Sequence, residues 1–275
     1  MRIQLFSDLH LERYPAFQPA LRPDADVIVL AGDIGSYQGG SRLTGTDFGL
    51  ERFAPALGAT KARVLYVPGN HEYDGLEFDE AHVRLQATCE RLGITWLDRE
   101  TVVIDHVRFV GTTLWADFDA LAGGHELTKQ LQLREKALRA ANFYLSKNTT
   151  RKGGEPVLAE GWRAMALDCQ AWLRAALAAP FDGPTVAVTH FAPSLKSADP
   201  RYGVTPGTAG FCNALDDLLP LVDVWMHGHL HCMNDYVVSG AEGGIDWSCR
   251  VVANPLGYLS KGEQEGFRPD LIIDL

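Results

Sequence analysis

Cysteine pairs, a surplus of basic residues and a long apolar run are all missing from this chain, and each absence removes a class of function. The five cysteines (Cys89, Cys169, Cys212, Cys232 and Cys249) are odd in number, scattered and never arranged as Cys-X-X-Cys. That excludes a thiolate zinc module and argues against a disulfide framework, leaving reduced thiols that fill core space. No apolar stretch approaches the roughly 18 residues of a membrane span. Residues 1–8 run straight into a strand pattern, without the apolar core and cleavage site of a secretory signal. A cytoplasmic location is the expectation. Lysine and arginine number 25 against 35 aspartates and glutamates, a formal net charge of −10. Such a chain lacks the basic face that a long nucleic-acid duplex requires. An anionic substrate stays open, because bound divalent cations can make a site locally positive on an acidic protein. Internal repeats and low-complexity tracts are also absent.

What is present is a recurring unit: a short apolar run, then a turn bearing a side chain able to bind metal. Residues 3–6 lead into Ser7-Asp8-Leu9-His10, and residues 27–31 into Gly32-Asp33. Residues 64–67 lead through Pro68 into Gly69-Asn70-His71-Glu72, residues 185–189 into His190, and residues 222–226 into His227-Gly228-His229-Leu230-His231. β-prone runs punctuated by Gly and Pro read as strands whose carboxyl ends feed tight loops, where α/β proteins build their sites. Residues 101–104 and 107–110 read as a hairpin around Asp105-His106, and residues 236–238, 250–253 and 271–273 as further short strands. These are too irregular for an all-parallel sheet, so one mixed sheet or a sandwich of two is expected. Helices are expected over residues 50–59, 79–92, 127–146 and 159–178. In the second of these, Ala81, Val83, Leu85, Cys89 and Leu92 mark the apolar face. Residues 147–154 form a basic, Gly-rich loop whose Lys147, Arg151 and Lys152 are read as solvated. With 275 residues, the chain is read as a single domain over 1–275. A helical lid or insertion around 120–155 interrupts the rhythm of strand and ligand.

Brought to one edge, Asp8, His10, Asp33, Asn70, His71, His190, His229 and His231 would make poor core material, costing several kcal/mol to desolvate unpaired. Two divalent cations remove that penalty, and oxygen and imidazole donors without sulfur suit Mn, Fe, Zn, Ni or Co. In order along the chain, Asp8-Leu9-His10, Gly32-Asp33, Gly69-Asn70-His71-Glu72, His190 and Gly228-His229-Leu230-His231 resemble the five blocks of the calcineurin-like metallophosphoesterase superfamily, notably its bacterial small phosphohydrolases. The resemblance implies an α/β fold: a sandwich of two mixed sheets flanked by helices, with a dinuclear centre at one edge. It implies that Asp8, His10 and His231 hold one metal, that Asn70, His190 and His229 hold the other, and that Asp33 bridges them. Cations about 3.5–4 Å apart would share a hydroxide that attacks phosphorus, and His71 stands at the family's general-acid position.

Neighbouring residues carry less. His82 and His106 lack metal-capable neighbours and read as surface or packing histidines. His227 is either a support for a ligand or a packed strand end. Glu72 is either a hydrogen-bond acceptor for His71 or another ligand, or solvated. Trp115 is read as packed beneath the lid, and Asn254-Pro255 as structural. Where phosphoprotein phosphatases continue the bridging-aspartate block with Asp-Arg-Gly, this chain has Ser36 and Tyr37, so a phosphate monoester loses a bidentate arginine. The lipid-precursor branch usually places Arg where His71 stands. The expected substrate is therefore a small phosphodiester, including cyclic nucleotides. A broad phosphomonoesterase is the alternative, ahead of a nuclease or a non-catalytic scaffold.

Overall fold

The structure is a computed structural model and describes residues 1–148 and 150–275. Strands β1 (Arg2–Phe6), β2 (Val27–Ala31), β3 (Arg63–Val67) and β4 (Thr95–Trp96) run parallel in one sheet. A second sheet holds β5 (Glu100–Ile104) and β6 (Val107–Thr112), paired as an antiparallel hairpin. Strands β7 (Arg151–Lys152) and β8 (Glu155–Pro156) make a separate two-stranded turn. To the second sheet the chain adds β9 (Thr185–Thr189), β10 (Val224–His227), β11 (Asn234–Glu242) and β12 (Ile245–Ala253), and β13 (Ile272–Asp274) returns to the first. Their orders are β13-β1-β2-β3-β4 and β11-β12-β10-β9-β6-β5. Each sheet has a parallel centre, with an antiparallel strand at one edge of the first (β13) and at both edges of the second (β11 and β5), so both are mixed.

Alternation along the strands builds the layers. Ile3, Leu5, Val27, Val29, Leu65 and Val67 meet Phe109, Val186, Val188, Val224, Met226 and Val252 in the core between the sheets. The intervening Ile28, Leu30, Val64, Tyr66, Val110, Ala187 and Trp225 join a second core with helices α1 (Phe78–Leu92) and α3 (Ala159–Ala178). With both faces covered, the central strands read as continuous apolar runs. The longest helix, α2 (Leu127–Asn148), packs on α3 and on the turn Pro206–Gly210. Four cysteines are buried and Cys232 is half-buried, all unbonded. No described helix is long and apolar enough to cross a membrane.

Several local expectations are corrected. Residues 50–59 are two short 3-10 turns, Leu50–Phe53 and Pro55–Leu57, because Pro55 lacks the N–H to continue a helix. Val83 is 64% exposed, so the buried face of α1 is Ala81, Leu85, Cys89 and Leu92. The short strands expected at 236–238 and 250–253 are parts of the two nine-residue strands of one hairpin turning at Gly243-Gly244. Arg151 and Lys152 are exposed, as expected, though they belong to the β7–β8 turn, where Lys152 pairs with Asp79 at 3.1 Å.

Candidate metal centre

The carboxyl ends of β1, β2, β3, β9 and β10 lie at one edge of the sandwich, and the loops leaving them carry the polar cluster. Its backbone is held against its own preference. Asp8, His10, Asp33, His229 and His231 all have positive φ, between 47° and 72°, in a region that costs a non-glycine residue about 1–3 kcal/mol. Hydrogen bonds between loops enforce it: Asp8 N to Gly32 O, His10 N to Asp33 O, Gly228 N to His190 O and Gly257 N to Asp8 O. Two glycines make the close approach feasible. A Cβ on Gly69 would lie 2.1 Å from Asp33 Oδ1, and one on Gly228 2.6 Å from Asp8 Oδ2.

Ligand-capable atoms of Asp8, His10, Asp33 and His231 fall within 4.8 Å of one another, as do those of Asp33, His190 and His229. Asp33 belongs to both groups. Asn70 Oδ1 lies 3.2 Å from His190 Nε2, which puts the carboxamide beside the second group. All seven side chains assigned to metal from the sequence are therefore together. Nε2 of His10 and of His231 face each other at 3.0 Å. Asp33 Oδ2 is buried without a hydrogen-bond partner, although His190 Nε2 is 3.3 Å away. A desolvated carboxylate oxygen among imidazoles is costly alone and well matched to a divalent cation, so the residues fit the metal expected of them.

The electrostatics follow from burial and pairing. Burial opposes the charge on Asp8, but His231 outweighs it and holds the carboxyl at about 2. Burial also disfavours protonated His190 and His231, yet Asp33 raises the first to about 9, and Asp8 with Glu263 raises the second to about 9. For His71, burial is overcome by Asp33 and Asp74, which lift it to about 10. Its Nδ1 lies 2.6 Å from Asp74 Oδ2, leaving Nε2 3.9 Å from Asp33 Oδ2.

Open alternatives resolve here. Glu72 is fully buried and its carboxylate accepts the backbone N–H groups of Asp33, Ile34 and Gly69, so it ties the second loop to the third rather than serving the His71 side chain. His227 is buried on Ser197 Oγ at 2.9 Å, and burial lowers it to about 4. Trp115 packs on Trp162 of α3, on Tyr73 and on Phe78. Asn254 donates to Leu5 O and Arg268 O, a structural tie. Tyr37 is occupied by the Phe48 N–H. Four site residues escaped sequence reading: Glu12 on His10, Asp74 on His71, Glu263 on His231, and Tyr258 stacked on His10 at 4.4 Å between ring centroids. Only Glu12 left a signal, as the next alternate residue after Asp8-X-His10.

A family model described as calcineurin-like phosphoesterase matches residues 1–233, most of the chain and every residue of the cluster. The chain belongs to the calcineurin-like phosphoesterase family. An uncharacterized protein of Acanthamoeba polyphaga mimivirus is 25% identical over 302 aligned residues, covering 100% of this chain and 97% of that protein. Among solved structures, the phosphopantetheinyl hydrolase of Mycobacterium tuberculosis has a similar fold, with a TM-score of 0.66 at 19% identity. The likeness covers 96% of this chain and 92% of that one. Membership in this phosphoesterase family supports metal-dependent hydrolysis of phosphate esters.

Proposed function

We propose that this chain hydrolyses small phosphodiesters, cyclic nucleotides among them, at a dinuclear centre of Mn, Fe, Zn, Ni or Co. The observation that carries the reading is Asp33, shared by two ligand groups and adjacent to a histidine held by its own carboxylate. In this reading Asp8, His10 and His231 hold one cation, Asn70, His190 and His229 hold the other, and Asp33 contacts both. Divalent cations bound there would neutralise phosphoryl oxygens and acidify water for attack near neutral pH. Asp74 fixes His71 Nδ1, so Nε2 is the atom that delivers a proton to the leaving alkoxide. Phe211, 43% exposed and stacked on His229 at 5.0 Å, offers an apolar wall for the organic part of the ester.

The chain acts as one domain, and the insertion around 120–155 serves as a lid whose end reaches the site, Thr150 Oγ1 lying 3.3 Å from Asp74 Oδ1. The diester preference rests on the missing arginine fork: a diester monoanion needs less positive charge than a monoester dianion.

The test is a metal-reconstituted panel of mono- and bis-arylphosphates, 2′,3′- and 3′,5′-cyclic nucleotides and a phosphopantetheinyl ester. The last is included because the similar fold is named for that activity. Hydrolysis of diesters ahead of monoesters is expected. No turnover with Mn, Ni, Co, Zn or Mg would sink the reading, and a faster monoester would convert it to a phosphomonoesterase. His71→Ala should cut turnover by about two to four orders of magnitude with metals retained. Loss of both metals would instead make His71 a ligand.

A further inference from the structure

Nε2 of His10 and Nε2 of His231 stand 3.0 Å apart, and what occupies the opposite nitrogens decides what those atoms present. His10 Nδ1 is 3.1 Å from Glu12 Oε1, and His231 Nδ1 is 2.6 Å from Glu263 Oε2. Each carboxylate accepts a hydrogen bond from Nδ1–H, so in the neutral imidazoles both Nε2 lone pairs face one point. Without a cation a proton can sit between the two nitrogens; a cation that displaces it finds a ligand pair. The other half of the cluster is built differently. His190 Nδ1 is placed on the Ala31 carbonyl at 2.8 Å, and His229 packs on the rings of Phe191 and Phe211.

Glu263 comes from a part of the chain beyond the stretch that the family model matches. There the backbone folds back onto the site: Leu256 N donates to Ser7 O, Gly257 N to Asp8 O, and Tyr258 N to Glu263 Oε2. A Cβ on Gly257 would sit 2.7 Å from Glu263 Cβ, so the turn is shaped to admit this carboxylate. Glu12 is fully buried, and its Oε2 has no hydrogen-bond partner.

We infer that Glu12 and Glu263 are positioning residues that select the Nδ1–H tautomer of His10 and His231, so that metal affinity in this half of the centre depends on them and in the other half does not. The inference rests on the metal-centre reading above and deepens it. An amide in place of either carboxylate can turn its NH2 group to Nδ1 and push the proton onto Nε2, where the cation should bind.

The test uses the full chain, stripped of metal and titrated with Mn or Zn by equilibrium dialysis with metal counting. Wild type should take up two equivalents. Glu263→Gln and Glu12→Gln should each weaken one equivalent by about 10–100-fold and leave the other unchanged, with the metal-free variant still unfolding cooperatively. Variants that hold both equivalents as wild type does overturn the inference alone, as do variants that lose both together. Wild type that fails to take up two equivalents overturns the underlying reading as well. Either variant suffices if the other does not fold.

Discussion

Asp33 shows how much one side chain can carry. Its Oδ1 accepts the His71 backbone N–H at 2.8 Å, its Oδ2 lies beside His190, and its own N–H is tied to Glu72. Asp33→Asn keeps that shape but replaces one carboxylate oxygen with a donor that cannot ligate. Both cations should weaken together, read by metal analysis after dialysis; full occupancy of both sites would contradict a bridging role. At this scale the candidate ligands were legible because each follows a strand by one to four residues, and burial of so many polar groups has few explanations. Asp74 and Glu263 were not. Asp74 reaches back to His71 only because residues 71–73 form a single 3-10 turn, and Glu263 meets a histidine 32 positions earlier. No periodicity encodes either contact.

Elements were legible where one force dominated. The five strands that feed the site are short and apolar on both faces, and their positions were read to within two residues. Helix α1 was also read well, ending at Gly93, whose positive φ lets its N–H bond Cys89 O and Glu90 O. Its face was read less well, because Val83 counts as apolar in a pattern yet points outward. A pair of substitutions separates the two: Val83→Lys should leave stability within about 0.5 kcal/mol, whereas Leu85→Ala should cost about 2–5 kcal/mol. Urea denaturation measures both, and a large loss at Val83 would mean that this face has a partner. Residues 50–59 failed for a different reason: a single proline, Pro55, breaks the element after Ala54. The hairpin of two nine-residue strands was cut short in sequence because Asn234, Asp235, Ser239 and Gly240 are weak strand formers, and pairing across the turn sustains them.

The site's charges govern how the whole molecule answers to pH. In the metal-free protein, His71, His190 and His231 have folded values of about 10, 9 and 9, above the ordinary 6.5. A raised histidine contributes stability that is fully present below its unfolded value and is lost as pH climbs through its folded one. His10, His227 and His229 are lowered by burial; their contribution runs the other way and fades as pH falls below 6.5. Metal-free stability should therefore peak near pH 6.5 and decline toward pH 9. Cations reverse the upper limb. Binding must displace the protons on His190 and His231, so affinity should rise across the same interval and protons should be released on binding. Bound metal then stabilises by mass action, about 2.7 kcal/mol at a hundredfold excess over Kd. Thermal melts of stripped and reconstituted protein between pH 6.5 and 9 should thus diverge, the first falling and the second holding or rising. Parallel curves would mean that the imidazoles do not exchange protons for metal.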